Sequence, residues 1–308
     1  MFRHVMHWVG AERRLPLIFG GAWHNAMDRL WEEAAARSPR SVVIESAFGA
    51  FITHWIKEGL PPPHEIDLST SEDLLPRTPA VALEMLEEYY DRRHRSIMEW
   101  EILEIERPFA VPLDPDDDTL FYVGRIDKVV RPMPSSVRGI EHKTTTSMRL
   151  NNKRQTISPM FRESFSPNAQ VDGYLYTLHM LYPEESLRNR VDVYVDGALV
   201  HKIGQDVQFI PVDRQVGHLD NWLWETHHWI KQIEEQRAAL AEASGFDKYL
   251  SAFPKNTNSC FDFNSACQFL PLCKARPNPL TWDEAPAGYK EERWDPLDHI
   301  GTPKELID

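Results

Sequence analysis

Residues 119–144 read TLFYVGRIDKVVRPMPSSVRGIEHKT. Two apolar, β-branched runs flank a Pro/Ser-rich turn, PMPSS at 132–136, so the stretch predicts two antiparallel strands and a loop. If that hairpin is centred on Pro134, Asp127 falls directly opposite Glu141, and opposed side chains sit roughly 5 Å apart. Strand alternation puts Lys143 on the same face as Glu141. Two carboxylates and an ammonium then converge on one small patch. Burying that set for stability alone is costly. A divalent cation between the carboxylates would neutralise them, and hard oxygen ligands suit magnesium or manganese.

Bulk properties narrow the function from outside. A chain of 308 residues is one large domain, or one domain with appendages. No apolar run reaches about 18 residues and the N-terminus has no signal-peptide pattern, so no membrane partner and a cytoplasmic location are expected. The net charge of −13 would repel a polyanion, so any nucleic-acid contact has to be local. One stretch offers it. No acid occurs between Glu141 and Glu163, while Lys143, Arg149, Lys153, Arg154 and Arg162 fall there. The alternative for this stretch is a solvated loop.

Periodicity places the remaining elements. Phe2, Val5, Met6 and Val9 have a helical spacing, so the chain is expected to begin inside a helix. Residues 17–36 predict a helix with Trp23, Met27, Leu30, Trp31 and Ala34 as its apolar stripe and His24 at the edge. Residues 41–58 and 79–98 predict two more helices, with no chemistry evident in either. Residues 100–111 alternate as a strand, and Asp114 to Asp118 predict an acidic loop. Residues 166–181 predict a helix with Ser166 as N-cap, Pro167 in its first turn, and Gln170 and Tyr174 on one face. Two strands are expected within 190–211, then a long helix over 213–244. Its Trp222, Trp224 and Trp229 are expected to be core contacts, with base stacking as the alternative. There is no G-x-x-x-x-G-K-[ST] loop, which argues against a built-in ATPase motor.

Four of these pieces, taken together, resemble a known family. LIFGGAWHNAMDRLW at 17–31, Gly124-Arg-Ile-Asp127, Glu141-His-Lys143 and Gln170 with Tyr174 follow the order and spacing of the PD-(D/E)xK nucleases. The similarity, over roughly residues 15–275, is to the RecB-like exonuclease branch, which includes CRISPR-associated and many phage proteins. The resemblance implies an α/β fold: a central mixed β-sheet flanked by helices, with a restriction-endonuclease-like core. It also implies a nuclease domain over 1–275, a helical insertion at about 38–98 and an extended C-terminal arm over 276–308. It implies a metal held by His24, Asp127, Glu141 and the backbone carbonyl of His142, with Glu106 near the site. Imidazole ligation would tilt the preference towards manganese. Lys143 would orient or deprotonate the attacking water, or stabilise developing charge. Gln170 and Tyr174 would help to place the scissile strand.

The implied activity is that of a metal-dependent DNA exonuclease of recombination, repair or DNA processing in a bacterial cell or phage-infected host. A recombination or helicase partner, or a second copy of the chain, would accompany it. Alternatives are a structure-specific or restriction-type endonuclease, a CRISPR spacer-processing nuclease, or a catalytically silent DNA-binding member of the fold.

The three cysteines, Cys260, Cys267 and Cys273, crowd one tract. Their odd number argues against a disulfide framework. Metal ligation is one reading and buried thiols the other. The iron–sulfur branch of the family adds a fourth cysteine ahead of the histidine motif and holds a four-iron cluster. No cysteine precedes His24 here. Under that resemblance the fourth ligand is expected upstream of the present first residue, or from His4 or His7. Zinc is the alternative metal.

Overall fold

The computed structural model describes residues 1–11, 14–67, 72–114, 117–151, 154–212, 214–261, 266–295 and 298. The helix expected over residues 2–9 is not formed. Turns occupy this stretch, His7 has φ +56°, and strand β1 (Trp8–Gly10) follows. A left-handed residue cannot continue a right-handed helix. The apolar residues serve aromatic packing instead: Phe2 stacks on Trp8 and on Phe269, at 6.1 and 5.4 Å between centroids.

Three long helices come next: α1 (Leu15–Ala35), α2 (Arg40–Lys57) and α3 (Pro79–Glu99). The predicted stripe of α1 is fully buried at Trp23, Met27, Leu30 and Trp31. Thr78 caps α3 by accepting from Val81 N–H, and Pro79 fills the first helical position, where no amide hydrogen is needed. Strands β2 (Glu101–Asp114), β3 (Asp117–Arg131) and β4 (Val137–Thr145) follow. The acidic loop expected at Asp114–Asp118 is shorter than foreseen, because Asp114 and Asp117 already pair across β2 and β3. The basic stretch carries a separate two-stranded hairpin, β5 (Met148–Asn151) with β6 (Arg154–Ile157). Arg149 and Arg162 are exposed. Lys153 lies outside the described residues, and so does the side chain of Arg154.

The chain then forms α4 (Pro159–Glu163), α5 (Ala169–Leu181), α6 (Pro183–Leu187), β7 (Val191–Leu199) and β8 (Val207–Val212). The cap of α5 is Asn168, not the expected Ser166: its side chain accepts from both Gln170 N–H and Val171 N–H. Helix α7 (Val216–Glu242), α8 (Leu270–Ala275) and β9 (Tyr289–Glu291) complete the chain.

The central sheet has the order β2-β3-β4-β7-β8. It is mixed: β4 and β7 are parallel and the other neighbours antiparallel. One face packs on α1, α2 and α3 through Val130, Ile140, Ala198 and Val207. The other packs on α5 through Ile126, Val129, Val193 and Val195, against Val171, Leu175 and Leu178. This is the α/β layering that the alternation of apolar strands and striped helices demands.

The described residues divide into two compact units, 14–222 and 1–11 with 223–295. The central sheet lies in the first. In the second, β1 pairs with β9, and Asn278 donates to the carbonyls of Ser244 and Asp247. The tryptophans of α7 part company. Trp222 is buried and donates to the Ala169 carbonyl, as a core residue should. Trp224 and Trp229 are 65% and 63% exposed, so the core expectation fails for them.

Asn168→Ala removes the acceptor for two amide hydrogens at the start of α5, and a cost of about 1 kcal/mol is expected. Urea denaturation followed by circular dichroism measures it. An unchanged midpoint would remove Asn168 as the cap.

Candidate metal centre

The register expected for a hairpin centred on Pro134 is present: Val130 pairs with Arg138, Val129 with Gly139 and Lys128 with Ile140. The ladder stops there. At the next position the Asp127 carboxylate, not its backbone, accepts the His142 N–H, at 2.7 Å. A side-chain oxygen has entered the space between two strands. The other side of β3 repeats the theme. Glu106 falls opposite Asp127, between the pairs Ile105–Lys128 and Arg107–Ile126, and its φ of +53° takes it out of the regular strand. Like charges set side by side across a sheet repel, so this placement has to be offset by cations.

Four cations answer four acids. His24 Nδ1, from α1, is 3.2 Å from Asp127 Oδ2. Lys143 Nζ is 2.5 Å from Glu141 Oε1, and Arg125 Nε is 2.7 Å from Glu106 Oε2. Lys128, with no exposed surface, reaches Asp28 on α1 at 2.5 Å. Asp28 lies one helical turn beyond His24, so α1 presents both on one face. Helix α5 supplies the lid of the acids. Gln170 Nε2 donates to Glu141 Oε1 at 3.2 Å and to Tyr174 Oη at 2.9 Å. Tyr174 in turn donates to the Arg125 carbonyl at 3.0 Å.

These neighbours set the protonation states. Burial alone would raise the Asp127 carboxyl, but the hydrogen bond and charge of His24 outweigh it and hold the group well below the usual carboxylate range. Burial likewise opposes a charge on His24, yet Asp127 draws its pKa above the ordinary value. Glu141 goes the other way: burial, and then the Asp127 charge, push it up to about 7 against the pull of Lys143. Glu106 is raised by burial and by Asp28 and Asp127. The His142 ring is fully buried beside Trp31 and Tyr89, neither ring nitrogen has a hydrogen-bond partner, and burial holds it well below its ordinary pKa.

The arrangement fits a cation. One ligand atom each from His24, Glu106 and Asp127 come within 4.8 Å of one another, and among the described residues they are the set that can share an ion. Glu141 lies outside that close set, drawn to Lys143 and Gln170. Its second oxygen, Oε2, is buried without a hydrogen-bond partner. A buried, unpartnered carboxylate oxygen is costly unless something positive meets it. A cavity of about 580 Å³ opens onto all of these groups. It is also lined by Asp28, Arg125, Asn25 and His54. Sequence reasoning missed these four. Asp28 had a weak signal in its i+4 spacing from His24. His54 had none, and α2 does carry a polar group to the site.

The cysteines give a different result. All three are free and half-buried, and they line one cavity with Met1 and Phe2. Among the described residues the three sulfurs are not part of a set of ligand atoms within 4.8 Å of one another.

No protein-family model matches the chain, and no curated protein matches it. Among solved structures, one from Eubacterium rectale, named as a candidate exonuclease, is similar at 13% sequence identity with a TM-score of 0.38. The similarity covers 72% of this chain and 65% of that one, so the chain spans about two thirds of that protein's length.

The Glu141 shift carries a stability prediction. A raised carboxyl pKa disfavours the charged form in the fold, a cost that grows from about pH 4.5 to about pH 7 and persists above. Glu141→Gln removes that charge, while Lys143, about a third exposed, can turn to water. In chelator at pH 8 the variant is expected to melt about 2–4 °C above wild type, with the gap closing towards pH 5. Calorimetric melting in both buffers reads it. A lower melting point at pH 8 would mean that Glu141 is a net stabiliser.

Proposed function

We propose that this chain is a metal-dependent DNA exonuclease acting in recombination, repair or DNA processing. The observation that carries the hydrolytic part is the Glu141 carboxylate, buried beside Asp127 with one oxygen on Lys143 and the other unpartnered. DNA as the substrate, and attack from an end, rest on the resemblance of the Asp127, Glu141-His-Lys143, Gln170 and Tyr174 motifs to the PD-(D/E)xK nucleases.

In this reading His24, Glu106, Asp127 and Glu141 hold magnesium or manganese, and the His142 carbonyl is a further ligand. The ion, when bound, supplies an activated water and offsets charge on the phosphoryl oxygens. Lys143 stands at the edge of the cavity, where its ammonium orients the water and stabilises developing charge. The water oxygen bonds to phosphorus, the ester P–O bond breaks, the water gives up a proton and the leaving oxygen takes one. Gln170, held by Tyr174, fixes Glu141 against the strand being cut. Exposed Arg149 and Arg162, with Lys153 and Arg154, supply phosphate contacts in a protein whose net charge is otherwise unfavourable for DNA.

End-labelled linear DNA, single- and double-stranded, incubated beside a closed circle with magnesium or manganese, tests this function. Degradation of linear DNA from one end is expected, with Lys143→Ala slower by roughly 10²–10⁴-fold and Asp127→Ala inactive. Cleavage of the circle would make the protein an endonuclease. Wild-type turnover by Lys143→Ala would remove that residue from the chemistry.

A four-iron cluster on Cys260, Cys267 and Cys273 is a separate proposal. It rests on the resemblance and on the shared cavity of the three thiols. Protein purified without air should then carry about four irons per chain, and iron-free protein under those conditions counts against the cluster.

A further inference from the structure

The second unit carries a polar pocket that the chemistry above does not use. His4, Val5, His7, Arg237, Glu291 and Arg293 line it, and its volume is about 460 Å³. Small-ligand sites span roughly 300–1,000 Å³. Local structure brings these groups together. Strand β1 pairs with β9, with Trp8 opposite Glu291, and the Glu292 N–H donates to the His7 carbonyl at 2.7 Å. That pairing sets the segments carrying His7 and Arg293 side by side. The left-handed φ of His7, +56°, turns the chain there, and His4 comes onto the same pocket. Arg237 arrives from α7.

The lining sets two guanidiniums and two imidazoles against one carboxylate, in a chain whose net charge is −13. Elsewhere arginines are neutralised: Arg93 and Arg138 have carboxylate oxygens at 2.8 and 2.6 Å. Among the described residues neither Arg237 nor Arg293 has such a partner. Glu292, the acid nearest in sequence to Arg293, is turned to Lys290 at 2.8 Å. Burial, and then the charge of Arg3, hold the His4 pKa below its ordinary value. A guanidinium presents its N–H groups as a rigid fork that fits phosphate oxygens two at a time. Trp294 follows Arg293 in the chain. It is 46% exposed, and its ring lies 5.9 Å from that of His4. Cations beside a bare aromatic ring suit a single nucleic-acid strand, the backbone meeting the charge and a base meeting the ring.

We propose that this pocket binds a phosphate group of a single nucleic-acid strand, with Arg237 and Arg293 bonding the phosphate oxygens and Trp294 stacking on an adjoining base. The inference rests on DNA as the substrate proposed above and deepens it. It adds a strand contact on the unit that lacks the central sheet. Each phosphate neutralised there releases counterions, so the contact is read in the salt dependence of binding.

The test uses the full chain and a fluorescent single-stranded oligonucleotide. Binding is read by anisotropy in the Lys143→Ala background, where the strand is not consumed. Arg237→Gln and Arg293→Gln are each expected to weaken binding about tenfold. Each should also lower the slope of log affinity against log salt by about 0.7. Arg293→Lys keeps the charge but not the fork, so it should keep the slope and lose affinity. Trp294→Leu should weaken binding with the slope unchanged. Both arginines are exposed, so these variants should melt with the parent.

Unchanged affinity in both glutamine variants, or weaker binding with the parent's slope, would overturn the inference. Inorganic phosphate and a deoxynucleoside monophosphate, titrated calorimetrically, separate the sources of the phosphate. If either binds the parent and is lost in both variants while strand binding stays intact, the pocket serves a free phosphate compound and the strand contact is wrong. Wild type that cleaves no DNA in either metal would end the nuclease reading alone. The salt slopes would still judge the pocket: a lower slope in both variants supports the contact, and a parent that binds no strand removes it.

Discussion

The Asp127 carboxylate occupies a place where a backbone carbonyl normally sits. By accepting the His142 N–H at 2.7 Å, it ends the β3–β4 ladder and holds the two strands apart. The same bond ties the acid to the strand that carries Glu141 and Lys143. A buried amide that has lost its ladder partner needs another acceptor, so Asp127 serves the sheet as well as the candidate site. Its neighbours follow from it. Glu141 is one step along β4, Glu106 is across β2, and His24 approaches from α1 to pair with it.

The layer behind the site keeps these positions fixed. His142 pairs in parallel with Asp196 on β7, and Asp196 is buried with Arg93 of α3 at 2.8 Å. The Arg93 guanidinium also lies over the Phe209 ring at 3.5 Å. Removing one partner of such a buried pair leaves an uncompensated charge. Helix α3 therefore contributes to the site without reaching it. It locks the strand beside β4, and β4 aims Glu141 and Lys143.

How much of this was legible depended on the range of the interaction. The hairpin was readable because its register is set by a turn and a period of two, both local. The α1 stripe and the shared face of Gln170 and Tyr174 were readable for the same reason. Ser166 lost the cap of α5 to Asn168, two residues on, a shift within the usual uncertainty of helix ends. Phe2 to Val9 mimicked a helix because apolar spacing does not encode the left-handed turn at His7. Trp224 and Trp229 carried no sign that their side of α7 would be exposed. His54 and Arg93 were invisible because what matters about them is a partner far away in sequence: Gly21 with Asn25, and Asp196. The resemblance supplied Glu106 only as a neighbour, whereas the register puts it opposite Asp127.

Each acid at the centre already has its own cation: His24 for Asp127, Lys143 for Glu141, Arg125 for Glu106, Lys128 for Asp28. The pocket is self-neutral before any ion arrives. An ion held by His24, Glu106 and Asp127 would therefore have to enter by exchange, their cationic partners turning aside and His24 giving up a proton. Acidity would then compete with the ion for the same ligands, so proton and metal would read one site from opposite sides.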